Sequence, residues 1–209
     1  MRVARMILGR GKIRYIEIHG FSDASERAYA ACVYVRSIKG SGECSVHLVC
    51  SKSRVSPLKQ QSIPRLELCG ALLLSRLAAR TSKSLNLTID RTCLWTDSTI
   101  VIAWLAAEPT RWKTFVANRV SEIQGLTEDA TWGHVSSEDN PADILSRGKS
   151  VRNIKDNALW WHGPTWLGQD ESHWPDTGSP LTMNQDVPDH RTTTQCLTTT
   201  ISLDITSKF

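Results

Sequence analysis

The stretch Thr92-Cys93-Leu94-Trp95-Thr96-Asp97-Ser98 ends an apolar run in a carboxylate and a small hydroxyl residue. A second apolar run, Thr99 to Leu105, follows at helical spacing. The pattern is that of a buried strand feeding a helix, with Asp97 at the strand's C-terminal end and Ser98 placed to cap the helix. Ligands of open α/β sheets sit outside the carboxyl ends of the strands, so an acid there is well placed to meet one. Helix capping alone would also explain Thr96, Asp97 and Ser98. The other carboxylates of the chain decide between the two.

Upstream, Ile13 to Phe21 reads as a strand, with Tyr15, Ile16 and Ile18 as β-formers, and it ends at Ser22-Asp23-Ala24-Ser25. A second carboxylate thus stands just past an apolar strand. Ala28 to Arg36 and Ser45 to Ser51 read as two further strands, joined by a turn over Ile38 to Glu43 that contains Gly40 and Gly42. The three make an antiparallel meander. Lys52, Arg54 and Lys59 are expected in a polar loop, after which Pro64 opens a helix running to about Ser82. Leu66, Leu73 and Leu77 form its apolar stripe and Glu67 lies in its first turn, where an acid also complements the helix dipole.

Downstream, Trp112 to Gln124 reads as a helix, with Phe115, Val116, Arg119, Val120 and Ile123 on one side, and Thr131 to Val135 as a fifth strand. Asp139-Asn140-Pro141-Ala142-Asp143 is a helix start, with Asn140 as cap and Pro141 at the first position. The expected order is βββαβααβα: an α/β fold with a five-stranded mixed sheet flanked by helices. Residues 1–12 read as a basic connector, 13–150 as the domain, 151–175 as an irregular Trp-rich connector and 176–209 as a Thr-rich, largely disordered tail.

Composition narrows the classes. A chain of 209 residues with 40% hydrophobic residues holds one sizeable domain and a real core. Its six cysteines show no CxxC pairing and read as reduced thiols of an intracellular protein rather than a disulfide or zinc framework. No signal peptide or run of transmembrane length is visible. The net charge of +4 is uneven: residues 1–60 hold 11 Lys/Arg against 4 Asp/Glu, which is compatible with a polyanionic partner and equally with a solvated surface.

Four acids stand out: Asp23, Glu67, Asp97 and Asp143. Strands one and four are expected as neighbours at the sheet centre, which would set Asp23 beside Asp97. Clustered carboxylates repel and raise one another's pKa, and a divalent cation relieves that repulsion. Oxygen-only ligands suit magnesium or manganese. Two such ions can hold the attacking and leaving oxygens of an in-line phosphoryl displacement.

At this point the chain resembles the ribonuclease H domain of BEL/Pao-type LTR retrotransposon polyproteins. The resemblance is carried by Phe21-Ser22-Asp23-Ala24-Ser25, Ser51-Lys52-Ser53-Arg54-Val55, Ile63-Pro64-Arg65-Leu66-Glu67-Leu68, Leu94-Trp95-Thr96-Asp97-Ser98 and Asn140-Pro141-Ala142-Asp143-Ile144-Leu145-Ser146-Arg147-Gly148. The Trp-rich segment Leu159 to Leu167 is also similar, so about residues 14–170 are covered.

The resemblance implies a ribonuclease H fold and metal-dependent cleavage of the RNA strand of RNA–DNA hybrids. Asp23, Glu67, Asp97 and Asp143 would serve as catalytic and metal-binding acids, holding Mg2+ or Mn2+. The products would carry a 5′-phosphate and a 3′-hydroxyl, and the RNA 2′-hydroxyl would distinguish RNA from DNA. Lys52, Arg54, Lys59 and Ser98 are the expected nucleic-acid contacts. Reverse transcriptase and integrase segments of a parent polyprotein are the expected partners, with no membrane, inside the cell in the cytoplasm, a virus-like particle or the nucleus.

Many ribonucleases H carry a histidine in the loop before the last acidic helix. Here that loop is only Ser136 to Asp139, and His134 is expected inside the strand, away from the chemistry. The alternative reading is a catalytically silent nucleic-acid-binding or connector module of a polyprotein, or a host-domesticated fragment. Asp176-Thr177-Gly178-Ser179 is not an aspartic-protease motif, because His173-Trp174-Pro175 rather than an apolar strand precedes it. His162 and His173 lack the paired cysteines of a zinc finger.

Overall fold

A computed structural model describes residues 12–148, 150, 154–175 and 187–191. The basic connector up to residue 11 and most of the Thr-rich tail, with the disorder expected of it, lie outside the described residues. Strands β1 (Ile13–Ala24), β2 (Ala28–Lys39) and β3 (Cys44–Val55) are followed by helix α1 (Ile63–Leu85), strand β4 (Arg91–Thr96) and helices α2 (Thr99–Leu105) and α3 (Thr114–Leu126). Strand β5 (Ala130–His134) and two short helices, α4 (Asp143–Arg147) and α5 (Ala158–His162), complete the described elements of regular length. Up to α4 this is the expected βββαβααβα order in a mixed α/β fold. Among the described residues, no helix is long and apolar enough to cross a membrane.

The sheet order is β3-β2-β1-β4-β5. Strand β1 is the central strand, antiparallel to β2 and parallel to β4, with Ser22 opposite Thr96. Alternation along β1 divides its side chains between two cores. Ile18 packs with Leu73, Leu74, Ala78 and Leu94 on the face covered by α1, while Phe21 packs with Tyr34, Trp95 and Ile144 on the other. Gly20 lies on the α1 face, where an added Cβ would come within 2.5 Å of Leu74 Cδ1. Helices α2 and α3 join α1 through Leu68, Trp104, Val116 and Val120.

Several expected boundaries shift for a common reason: hydrogen-bond ladders run on past the apolar residues. Strand β1 continues to Ala24 because its pairing with β2 persists to Ala24 opposite Tyr29, so Asp23 lies within the strand rather than after it. Likewise β3 pairs with β2 as far as Val55, placing Lys52 and Arg54 on a strand instead of in a loop. Helix α4 begins at Asp143, with Ala142 at the cap position. Asn140 instead accepts from the Ala142 N–H at 3.1 Å and donates to the Ser22 carbonyl at 3.0 Å, which fastens the loop before α4 to β1.

The Trp-rich segment covers the face of the sheet opposite α1. Trp160, Trp166 and Leu167 are buried in the same core as Phe21 and Trp95. Gly163, at φ 71°, turns the chain where a Cβ would meet Leu167 Cδ2 at 2.9 Å. Polar groups fix the segment's register. Tyr34 Oη donates to the Trp160 carbonyl at 2.8 Å, and Arg36 donates to the carbonyls of Leu167 and Gln169 at 2.8 and 2.9 Å. Arg36 also pairs with buried Glu17 at 2.7 Å, and Glu17 accepts from His19 at 3.2 Å. Burial pushes the Glu17 carboxyl up, but its bonds to His19 and Arg36 outweigh this and hold it below the usual range.

Truncating a large buried aromatic costs roughly 3–5 kcal/mol through lost transfer energy and the cavity left behind. Trp166→Ala is therefore expected to lower unfolding stability by that amount in a urea titration. A loss within the ±0.5 kcal/mol of ordinary surface changes would show that the segment is not part of the core.

Candidate active site

The register of the β1–β4 pair builds the site. Ser22 and Thr96 are partners across the parallel ladder, so Asp23 and Asp97, each one residue on, stand side by side at the C-terminal ends of the two strands. Asp23 is only 5% exposed. Ser98 caps α2, accepting from the Val101 N–H at 3.2 Å, and its hydroxyl donates to Glu67 Oε2 at 2.5 Å. Glu67 reaches this point from α1, where it begins the second turn rather than lying in the first. Gly70, one turn further, lets the helix approach the strand: a Cβ there would stand 3.0 Å from the Asp23 carbonyl oxygen.

Asp143, the first residue of α4, completes the group, and Ser146 of that helix donates to Asp23 Oδ2. Ser25 Oγ in turn donates to the Ser146 carbonyl at 2.7 Å, tying α4 to the β1–β2 hairpin. Ser137 Oγ donates to Asp97 Oδ2 at 2.8 Å. Each of the four acids therefore has one attached partner: Ser146 for Asp23, Ser98 for Glu67, Ser137 for Asp97, and Arg147, in an i,i+4 ion pair, for Asp143.

Burial pushes the Asp23 carboxyl up to about 7; the Ser146 bond opposes this, and the nearby charges of Asp97 and Asp143 add to it. Burial also raises Glu67, with Ser98 opposing and the Asp97 charge adding. Asp23 thus feels Asp97 and Asp143, and Glu67 feels Asp97, while the cation attached to the group, Arg147, is paired with Asp143.

Among the described residues, no three His, Cys, Asp or Glu side chains are gathered closely enough to hold a metal ion as they stand. The donor chemistry nonetheless fits a hard divalent cation. The candidate ligands are all carboxylate oxygens, and Asp97 Oδ1 is buried with no hydrogen-bond partner. Asp143 Oδ1 is also buried without a hydrogen bond, its contact with Arg147 being one of charge. Magnesium or manganese would be held by Asp23, Glu67, Asp97 and Asp143, with Asp97 Oδ1 already free to coordinate.

The expected nucleic-acid contacts divide. Lys52, Arg54 and Lys59 are exposed. Lys52 and Arg54 oppose Ala31 and Tyr29, which pack on the α1 face, whereas Asp23 opposes Ala30 and projects from the other face. The two cations therefore sit at the site's end of the sheet but on its α1 side. Ser98 is 5% exposed, and its hydroxyl is engaged by Glu67 and Val101, so it orients an acid rather than meeting a phosphate.

Two residues of the site escaped sequence reasoning. Ser137 and Ser146 are ordinary serines until the fold places them on Asp97 and Asp23. Arg27, a further cation, is exposed in the turn that follows Asp23. His134, expected inside the strand and away from the chemistry, is the last residue of β5, and its Nε2 lies 3.1 Å from the Asp97 carbonyl, at the edge of the site.

In its sequence, the chain matches the family model described as the Pao retrotransposon-like RNaseH-like domain over residues 1–98, a span that contains Asp23, Glu67 and Asp97 and stops short of Asp143. No curated protein matches it. Similar solved structures include RNase H1 from the halophilic archaeon Halobacterium salinarum, 16% identical with a TM-score of 0.40, covering 63% of this chain and 94% of that one. LC11-RNase H1, isolated from compost by a metagenomic approach, was solved in complex with an RNA/DNA hybrid. It is 13% identical with a TM-score of 0.42, covering 62% of this chain and 92% of its own. The RNase H domain of PFV is 14% identical with a TM-score of 0.37, covering 66% and 88%.

The raised acid sets a pH dependence. The native state keeps the Asp23 proton to about pH 7, whereas the unfolded chain loses it near pH 4. Between those values the native state binds more protons, so stability falls as pH rises and is fully regained only below about 4. In chelator, the thermal midpoint is expected to fall from pH 4 to pH 8. Asp23→Asn should flatten that slope and be the more stable form at pH 8, by roughly 1–4 kcal/mol. A slope unchanged by the substitution would contradict the assignment.

Proposed function

Because residues 1–98 match the family model described as the Pao retrotransposon-like RNaseH-like domain, we propose that the chain is a metal-dependent nuclease that hydrolyses the RNA strand of RNA–DNA hybrids. The observation that carries this reading is the convergence of Asp23, Glu67, Asp97 and Asp143 on the carboxyl ends of β1 and β4, where burial and neighbouring carboxylates push Asp23 and Glu67 up. Bound Mg2+ or Mn2+ would supply the positive charge that phosphodiester hydrolysis requires.

The chain's own residues prepare that site. Ser98 holds Glu67 by its Oε2 oxygen, and Ser137 takes Asp97 Oδ2 while leaving Oδ1 unbonded. The Asn140 bond to Ser22 keeps the loop bearing Asp143 against β1. Arg27, Lys52, Arg54 and Lys59 supply cations at the same end of the sheet for phosphates of the duplex. In this reading the domain works beside reverse transcriptase and integrase segments of a parent polyprotein, within the cell, in the cytoplasm, a virus-like particle or the nucleus.

The test is incubation of the protein with a labelled RNA–DNA hybrid, with and without magnesium. Cleavage is expected only with the metal, and Asp97→Asn and Glu67→Gln are expected to abolish it with the fold retained. Outer partners of metal ligands are worth roughly 10–100-fold, so Ser98→Ala should lower turnover within that range, less than loss of either acid. Full activity in chelator or in either acid variant sinks the proposal.

A second reading is favoured by the absence of a preformed ligand cage among the described residues: a catalytically silent module that only grips nucleic acid. It predicts hybrid binding with no cleavage at any magnesium concentration.

Grip has its own readout. Removing one phosphate-contacting cation should weaken binding about equally across sequences and flatten the log–log salt dependence by about one unit. Lys52→Ala and Arg27→Ala are the variants to compare, and an unchanged slope would make the residue ordinary solvated surface.

A further inference from the structure

Residues Val187 to Arg191 lie far along the chain from the sheet, yet every one of them makes a defined contact with the α1–α2–α3 layer. Val187 packs on the apolar cluster that includes Trp104 and Val116. The Pro188 carbonyl accepts from Trp104 Nε1 at 3.0 Å, and Trp104 is fully buried. The Asp189 carboxylate takes both arms of the Arg65 guanidinium, at 2.9 and 2.6 Å, and its side chain is 10% exposed. The Asp189 carbonyl accepts from the Lys113 N–H at 2.8 Å. The His190 ring lies 4.6 Å from that of Trp112, the two residues form a β-bridge, and the Arg191 N–H donates to the Arg111 carbonyl at 2.9 Å.

These contacts have the chemistry of peptide recognition rather than of incidental packing. The segment turns at Pro188 and Asp189 and makes main-chain hydrogen bonds on either side of Trp112, at the Lys113 N–H and the Arg111 carbonyl, while side-chain contacts give it selectivity. The planar Arg65 fork matches a carboxylate bidentately, a match that Lys or a neutral amide cannot reproduce. Arg65 is itself fixed, with its guanidinium 5.0 Å over the Phe115 ring. Asp189 adopts φ 66°, a conformation that Asp tolerates far better than β-branched residues do. The Lys113 N–H, just before α3, finds its acceptor in the Asp189 carbonyl.

We propose that the surface formed by Arg65, Trp104, Trp112, Lys113 and Phe115 is a peptide-docking site, and that its ligand is this chain's own Val187–Arg191, anchored by Asp189. The inference goes beyond the nuclease reading and does not rest on it. Docking fastens the C-terminal segment to the first turn of α1, two residues before Glu67. The site reads an Asp-His pair, a carboxylate for Arg65 and a ring for Trp112, preceded by a main-chain carbonyl for Trp104.

The experiment measures amide hydrogen exchange in the full chain at Lys113 and Arg191, the two N–H groups closed by docking. Both are expected to be protected in the native sequence and to exchange at least about tenfold faster in Asp189→Asn, with α1 beyond Leu68 unchanged. The charge swap Arg65→Asp with Asp189→Arg should recover part of that protection, which neither single change retains. A synthetic peptide of residues 185–193, added to the Asp189→Asn chain, should slow exchange at Lys113, and the same peptide carrying Asn at 189 should not. Unprotected amides in the native sequence, or equal protection with and without Asp189, would overturn the proposal. So would an Asp-containing peptide that binds no better than its Asn counterpart. None of these readouts involves cleavage, so the proposal stands or falls separately from the nuclease activity.

Discussion

The parallel pairing of β1 with β4 governs both the fold and the site. Parallel strands cannot be joined by a hairpin, so the chain between them must cross a face of the sheet, and α1 makes that crossing. The same pairing aligns two C-terminal strand ends, which fixes Asp23 beside Asp97 without any side-chain contact being needed to bring them together. With β2 on its other edge, β1 has no exposed ladder, and alternation along it feeds both cores at once. A one-residue slip of β1 would exchange Phe21 for Ser22 in the aromatic core and turn Asp23 towards α1.

Burial of those strand ends sets the electrostatics. Four carboxylates share a site in which Asp23 is buried and, among the described residues, Arg147 is paired to Asp143. Hydroxyl groups from three different elements hold the others: Ser98 from the α2 cap, Ser137 from the loop after β5, and Ser146 from α4. A hydroxyl orients a carboxylate without neutralising it, so the cluster stays short of positive charge. That arrangement costs stability in the absence of a cation and gives the acids a reason to take one. The opposite end of β1 shows the contrasting solution. There buried Glu17 faces Arg36 directly, and the group is closed by His19 and by carbonyls of the Trp-rich segment. One end of the strand is therefore electrostatically satisfied and the other is not.

Much of this was legible in the sequence because it depends on local pattern. Apolar periodicity and the Gly and Pro punctuation place the elements in their order, and abrupt acids after apolar runs single out Asp23 and Asp97. The strand ends were harder, since β1 and β3 continue through polar residues wherever a neighbour supplies a ladder. Ser98 is visible as a cap, but its bond to Glu67 depends on how α1 lies across the sheet. Ser137 and Ser146 carry no local signal as partners of Asp97 and Asp23, because they reach those acids only through long-range closure. The Trp-rich segment is conspicuous by composition, yet its seat against Phe21 and Trp95 follows from Arg36 and Tyr34, residues more than a hundred positions away.

The proposed function requires the acid cluster to take a divalent cation. Calorimetric titration of Mg2+ or Mn2+ into the protein near pH 7, repeated in buffers of different ionisation enthalpy, counts the protons displaced on binding. Binding is expected to release a fraction of one proton, because burial leaves Asp23 part-protonated near that pH. The release should disappear in Asp23→Asn, and binding itself should be lost or strongly weakened in Asp97→Asn. No binding by the native chain, or binding indifferent to both substitutions, would contradict the account.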